Sequence, residues 1–528
     1  MNRQRNKPNI LLVMVDQMTV GAMSVYGNPV ARMPNLERLA SESAVFDKAY
    51  CASPLCVPAR YSLLTGKESA GIGAFDNASE FPASTPTITH HLRDNGYWTV
   101  LCGKMHFIGP DQLHGFNERI TTDVYPSTYA WVPHWDRGAG YISSGVTCAS
   151  ILEAGPCIRS LQMDYDDEVE YRGIQKLFDL VRSPGQRPFF LAVSFTHPHH
   201  PFTISREYWD RYADEDIDMP AVGPLPFEQL DYHSRGLYFA HGRHLHEVTE
   251  DHARNARHAY YGMLSYLDDK IGRLLEVMDV TGLADDTLVI FTSDHGEMLG
   301  ERGMWHKHHF FEPSIRVPLF LRLPGRIEPT RISDPVSHVD LAPTLLEMLG
   351  SADASRKMDG RSLLTALEGS AAEDRPVFAD YLAIGPCVPC RMVRRGDYKY
   401  MYTHGHDEQL FDLSRDPFEE HNLADEPGSE DIKTDLKCAL FHAWNPEEVD
   451  RRVRNSQRRR IAINGSPGTQ PTWDFVYRKG DEQRFVRNRA VDATKGKYRL
   501  PLVESTPPNR PPVTGAQIDE AMRTGVLP

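Results

Sequence analysis

Nowhere do about 18 apolar residues run together, the length a membrane-crossing helix requires, so the sequence offers no membrane-spanning segment. The N-terminal end comes nearest. Residues 1–7 are basic and residues 10–15 apolar, but the run stops at Asp16-Gln17. That is short of the roughly 7–15 residues of a signal peptide's apolar region; it reads instead as a buried first strand. Cysteine is scarce, eight in 528 residues, which excludes a disulfide framework and favours the cytoplasm. Cys387-Val388-Pro389-Cys390 stands without a second pair at zinc-site spacing and reads as a loop. Positive charge is also in deficit, with 58 Lys and Arg against 72 Asp and Glu and a net charge of −14. Nucleic acid, which wants a basic face, is not an expected partner. A locally positive pocket for an anionic substrate remains compatible with that balance.

What is present is the composition of a globular protein, 41% hydrophobic and 25% charged, in a chain long enough for two domains. Short, nearly continuous apolar runs at 9–15, 97–101, 188–195 and 287–292 predict strands of a sheet covered on both faces. Helical patterns at 86–94, 166–181 and 254–280 separate them. The fold class is therefore α/β, with a large mixed, mostly parallel sheet flanked by helices. A linker-like stretch (324–335) and a helix (341–349) lead to short strands at 377–381, 390–394, 398–402 and 409–413, with His404-Gly405-His406 as a turn. With a helix over 431–444 they form a smaller C-terminal antiparallel sheet plus helix. The expected division is 1–375, 376–446 and a tail, 447–528. Six arginines between Arg451 and Arg460 predict a solvated helix face, or docking on an acidic surface of a sister subunit.

Polar residues follow each of the four main strands: Asp16-Gln17, Gly103-Lys104-Met105-His106, Thr196-His197-Pro198-His199-His200 and Ser293-Asp294-His295-Gly296. Open α/β sheets bind ligands at the carboxyl ends of their strands, so one cleft is expected to gather them. Asp16, Gln17, Asp294 and His295 offer carboxylate, amide and imidazole ligands for one divalent metal. Calcium suits the oxygens, and the histidine also admits manganese or magnesium. Cys56-Val57-Pro58-Ala59-Arg60 opens a short helix, with Pro58 in the first turn and Gly66 past the last. It sets a thiol and a cation on one face. With Lys104 and Lys307 it makes an electropositive pocket for a tetrahedral oxyanion. His106 and His197 are candidate proton carriers.

Cys56-Val57-Pro58-Ala59-Arg60 with Thr65-Gly66 resembles the signature of type I sulfatases, in the alkaline-phosphatase-like superfamily. The resemblance extends through Pro8-Asn9-Ile10, Gly103-Lys104, Ser293-Asp294-His295-Gly296 and Leu410-Phe411-Asp412-Leu413. Residues 50–56, 103–116, 298–303, 448–460 and 472–475 are similar to choline sulfatases in particular. The resemblance implies that a maturation enzyme oxidises Cys56 to formylglycine, whose hydrate attacks sulfur. Asp16, Gln17, Asp294, His295 and the hydrate at Cys56 would hold the metal. Arg60 would hold the formylglycine, and Lys104 and Lys307 the sulfate. His197 would protonate the departing alcohol, and His106 would take the proton that releases sulfate and restores the aldehyde. It also implies a homo-oligomer, dimer or tetramer, in which the tail approaches a neighbouring site.

A small sulfate ester is the implied substrate. By the same resemblance Trp131 and Asp380 would hold choline, whose quaternary ammonium suits aromatic faces and an acid; Tyr125 and Trp135 are near in sequence. Three departures leave the alcohol open to an aryl or other small group: no acid follows Leu382-Ala383, His199-His200-Pro201 replaces a more acidic pattern, and His306, His308 and His309 crowd Lys307. A phosphonate monoester or phosphodiester hydrolase, and an inactive anion-binding relative, are the alternatives. The intact Cys56, Arg60, Lys104, His106, His197 and Lys307 speak against the last.

Overall fold

A computed structural model describes residues 7–141, 146–182, 187–213, 216–369, 374–464 and 499–528. The expected segment 472–475 lies outside them. The main sheet has eight strands: β1 (Asn9–Val15), β2 (Ala44–Phe46), β3 (Trp98–Gly103), β4 (Glu118–Arg119), β5 (Phe189–Ser194), β6 (Thr287–Ser293), β7 (Leu319–Arg322) and β8 (Thr330–Ile332). Their order is β8-β2-β7-β6-β1-β5-β3-β4. The centre is parallel: β1 pairs with β6 and β5, and β3 with β5 and β4. Only β7 runs against its neighbours β6 and β2. β8 is a short edge strand inside the stretch 324–335, where the sequence predicts a linker. Its three residues are too few to show a period.

β1 is buried along its whole length, and its pleat alternates. Ile10, Leu12 and Met14 join one apolar core, Leu11, Val13 and Val15 the other. That two-sided burial makes its sequence one unbroken apolar run. The second core is closed by α2 (Leu161–Arg182) and α3 (Glu250–Thr281); α3 starts with Thr249 in a capping box with His252 and ends at Gly282 in a left-handed conformation.

After α4 (Leu341–Met348) comes the small antiparallel sheet, β9 (Val377–Tyr381), β10 (Cys390–Arg395), β11 (Tyr398–Thr403) and β12 (Glu408–Asp412), in that order. α5 (Glu430–Phe441) packs Leu436 and Leu440 with Val393, Tyr400 and Leu410 of that sheet. Lys399 anchors the sheet to the main body, donating to the Phe310 carbonyl and Glu312 at 2.9 Å each. The arginine-rich stretch forms α6 (Pro446–Asn464). All eight cysteines carry free thiols, including Cys387 and Cys390. Among the described residues no helix is long and apolar enough to cross a membrane.

Candidate active site

The parallel strands β1, β3, β5 and β6 end on one edge of the sheet, and their next residues converge there. Two close approaches require glycine. At Gly103 (φ 107°) a Cβ would stand 1.9 Å from the Ser194 carbonyl oxygen, and at Gly296 one would stand 2.0 Å from that of Pro313. Gln17, His106, His306 and His308 are held at positive φ (67°, 59°, 66° and 87°). Such strain is retained where the surroundings over-determine a conformation, as at active sites.

α1 (Cys56–Thr65) brings the thiol to this edge, and all ten of its residues are buried. Cys56 Sγ lies 3.3 Å from His295 Nε2 and accepts from Lys307 Nζ at 3.1 Å. Burial alone would push this thiol up. Lys104, Lys307, His295 and His106 outweigh it and hold it well below the ordinary thiol range. Arg60, one turn on, is fully buried and spans two carboxylates: Nε donates to Asp294 Oδ2 at 2.9 Å, Nη2 to Asp16 Oδ2 at 3.2 Å. Nη1 donates to the Lys104 carbonyl (2.7 Å) and Ser194 Oγ (3.0 Å). Lys104 Nζ also bonds Asp16 and sits 4.2 Å over the Tyr125 ring. Burial and Cys56 push the Asp16 carboxyl up, yet Lys104, His199 and Lys307 hold it below the usual carboxylate range.

Asp16, Cys56, Asp294 and His295 are buried and offer ligand atoms within 4.8 Å of one another. Asp16 Oδ1 is buried without a hydrogen-bond partner. A carboxylate oxygen left so costs free energy that a cation would recover. The donor set therefore fits one divalent ion. Gln17 stands beside it, its Oε1 accepting from Lys307 at 2.9 Å and its Nε2 donating to Glu297 at 2.5 Å.

The thiol opens into a tight cavity of about 50 Å³. Leu55, Tyr125, Trp131, Pro133, Val146 and Ile384 give it apolar and aromatic walls, and His106, His199, Lys307 and Asp76 reach it as well. Trp131 meets His106 and Tyr125 with ring centroids 5.8 Å apart in each case. His308, also at the wall, pairs with His241 at 2.8 Å, and His306 packs edge-on to His200.

Two expected site residues fall elsewhere. His197 does not line the cavity: its Nδ1 is bonded to Asp166 at 2.7 Å, and its backbone N–H donates to the same carboxylate at 2.9 Å. His199, two residues on, takes the cavity position beside Cys56. Its Nδ1–H donates to the His200 carbonyl at 2.7 Å, which leaves Nε2 for a ligand. Burial, then Lys307, lowers its pKa to about 4. Asp380 is also absent from the wall. It is buried on β9, where the β9–β10 register sets it opposite Arg391, which bonds it at 2.7 Å; Ala70 N–H donates to it as well. Asp76 is the cavity's carboxylate, and only its following Asn77-Ala78-Ser79 turn marks it in the sequence. His200, packed against His199, lines the cavity as well; the sequence marks it only as one of the polar residues that follow the third strand.

A family model described as sulfatase matches residues 8–351. The chain belongs to the sulfatase family. A second model, for the C-terminal region of N-sulphoglucosamine sulphohydrolase, matches residues 300–445 of this sulfatase. Choline-sulfatase of Rhizobium meliloti (strain 1021) is 41% identical over 94% of the chain and 99% of its own length. An arylsulfatase of Clostridium perfringens is 30% identical over 79% of the chain and 90% of its own. In fold, the phosphonate monoester hydrolase of Agrobacterium radiobacter superposes with a TM-score of 0.63 at 23% identity, over 88% of this chain and 99% of that one. The sulfatase is thus a sulfuric ester hydrolase of the alkaline-phosphatase-like fold.

Proposed function

We propose that this sulfatase hydrolyses a small organic sulfate monoester, choline-O-sulfate or an ester of similar size, with water to the alcohol and inorganic sulfate. The carrying observation is the Cys56 sulfur, 3.1 Å from Lys307 Nζ and 3.3 Å from His295 Nε2 at the floor of a tight cavity. Position 56 would be matured to formylglycine, and Asp16, Asp294, His295 and residue 56, with Gln17 adjacent, would hold one divalent ion, calcium in the first place. The ion would polarise the sulfate and the hydrated aldehyde would supply the nucleophile toward sulfur. Lys307 and Lys104 offset the charge of the sulfate oxygens. Arg60 fixes the two metal carboxylates from behind. His199 carries the proton to the departing alcohol oxygen, in the role the sequence resemblance gave His197. His106 accepts the proton from position 56. Trp131 and Tyr125 face the alcohol.

The 41% identity to choline-sulfatase supports choline as the alcohol, while the arylsulfatase and phosphonate hydrolase relatives supply the competing substrates. A cytoplasmic homo-oligomer divided at 375 and 446 completes the reading. Protein made together with a maturation enzyme is tested by peptide mass spectrometry at position 56 and by kcat/KM for choline sulfate, nitrophenyl sulfate and a phenyl phosphonate monoester. An aldehyde at 56 and a sulfate ester as the best substrate are expected. Full activity with cysteine alone at 56 overturns the nucleophile; a phosphonate ester with the highest kcat/KM overturns the substrate class.

A further inference from the structure

Asp76 is the only carboxylate among the described residues lining the cavity, and it is held by a residue far along the chain. Arg460 Nη1 donates to its Oδ1 at 2.5 Å and Nη2 to its Oδ2 at 2.7 Å, with both side chains buried. This is the bidentate fork that arginine makes with carboxylates. Arg460 Nε is in turn oriented by Ser456 Oγ at 3.2 Å.

A second residue of α6 reaches Ala383 of the same wall through Trp135. Gln457 Oε1 accepts the Trp135 backbone N–H at 2.9 Å, and Trp135 Nε1 donates to the Ala383 carbonyl at 2.6 Å. Arg452 donates to the Ala70 carbonyl at 2.7 Å. The two family models end at residues 351 and 445, whereas α6 begins at Pro446. The helix that carries Arg460 is therefore an addition to the part of the chain those models describe. A buried ion pair adds little net stability over an apolar pair of the same shape. Its larger effect is on the wall: with the fork made, the alcohol half of a substrate meets a neutral pair; without it, a net negative carboxylate held, among the described residues, only by Ala78 N–H at 2.9 Å and Ser79 Oγ at 3.4 Å.

We propose that Arg460 is a specificity-positioning residue, which neutralises Asp76 and thereby sets how strongly the cavity favours a cationic alcohol over a neutral one of the same shape. The assignment rests on the sulfate-ester reading above for the identity of the ligand. It is tested with choline and dimethylbutanol, the uncharged isostere in which carbon replaces the quaternary nitrogen, and with their two sulfate esters. Binding of the alcohols is measured by calorimetry and kcat/KM by sulfate release. Arg460→Met frees the Asp76 carboxylate and is expected to shift the choline-to-isostere ratio toward choline by at least about tenfold. Adding Asp76→Asn to Arg460→Met returns the ratio to that of the unsubstituted protein. Equal losses for both ligands in Arg460→Met, or no binding of either by any variant, overturn the proposal. Where Arg460→Met fails to fold by circular dichroism, Asp76→Asn alone decides. It leaves an unpaired guanidinium at the wall and must disfavour choline; an unchanged ratio overturns the assignment. Turnover is judged separately. A protein with the aldehyde at position 56 that binds the alcohols but releases sulfate from neither ester refutes the small-alkyl-sulfate reading and leaves the binding ratio to judge Arg460.

Discussion

Arg60 donates from Nε to Asp294 Oδ2 at 2.9 Å with neither side chain reaching solvent, and through Nη2 it ties Asp16 to the same guanidinium. The cation behind the candidate metal site thus fixes the spacing of its two carboxylates. Arg60→Met leaves both acids buried without that partner and is expected to destabilise the fold by about 3–5 kcal/mol, read by urea unfolding. Arg60→Lys keeps the charge but not the fork, and falls between the two. A variant as stable as the parent would show the guanidinium to be dispensable.

The orphaned Asp16 Oδ1 predicts that a divalent ion stabilises the fold. Calcium at about 100 times its Kd adds about 2.7 kcal/mol, so dialysis against a chelator is expected to lower Tm by several degrees, with recovery on adding calcium. Asp16→Asn abolishes the response. A Tm indifferent to chelator counts against the site.

His199 and His197 are separated by leaving-group dependence. If His199 protonates the alcohol oxygen, His199→Ala costs about 10²–10⁴ in kcat/KM on an alkyl sulfate, and far less on nitrophenyl sulfate, whose leaving group needs no proton. His197→Ala, which removes one of the partners of Asp166, is expected to lower both substrates alike. The opposite pattern returns the acid role to His197.

Lys399 joins Glu312 and Glu419 in the buried contact between the small sheet and the main body. Burial pushes Glu312 up, but Lys399, Arg394 and Arg316 prevail and hold it at about 2, below its ordinary 4.5. Glu419, pushed up by burial, shares the same lysine. The folded chain releases the Glu312 proton more readily than the unfolded chain. Its stabilisation is complete above about pH 5 and drains as pH falls toward about 2. Glu312→Gln is expected to flatten that acid limb in urea unfolding followed from neutral pH to about pH 3. Lys399→Met is expected to cost about 3–5 kcal/mol near neutrality.

The main strands were legible because burial on both faces leaves no polar residue to interrupt them; β1 runs over the predicted 9–15. The ends were less so. β3 continues to Gly103, past the predicted 101, because glycine allows the backbone to close on Ser194. Edge strands of two or three residues carry no period. Within the site, the charged residues after each strand could be read from local order, since a strand end fixes where they stand. The choice between His197 and His199 could not. It is made by Asp166, on the helix Leu161–Arg182, which claims one imidazole and leaves the other to the cavity. Asp380 was likewise settled by cross-strand register with Arg391, and Asp76 by an arginine on a different helix. Each is a pairing between distant segments, which spacing along the chain does not encode.

Every residue from Cys56 to Thr65 is shut away from solvent, and with it the whole Cys-Val-Pro-Ala-Arg segment. An oxidising enzyme that must grasp those side chains has no access once the chain has closed around them. If the thiol is matured as proposed, its conversion belongs to the nascent or unfolded polypeptide, and a molecule that folds with its sulfur unaltered would be locked in that form for its lifetime.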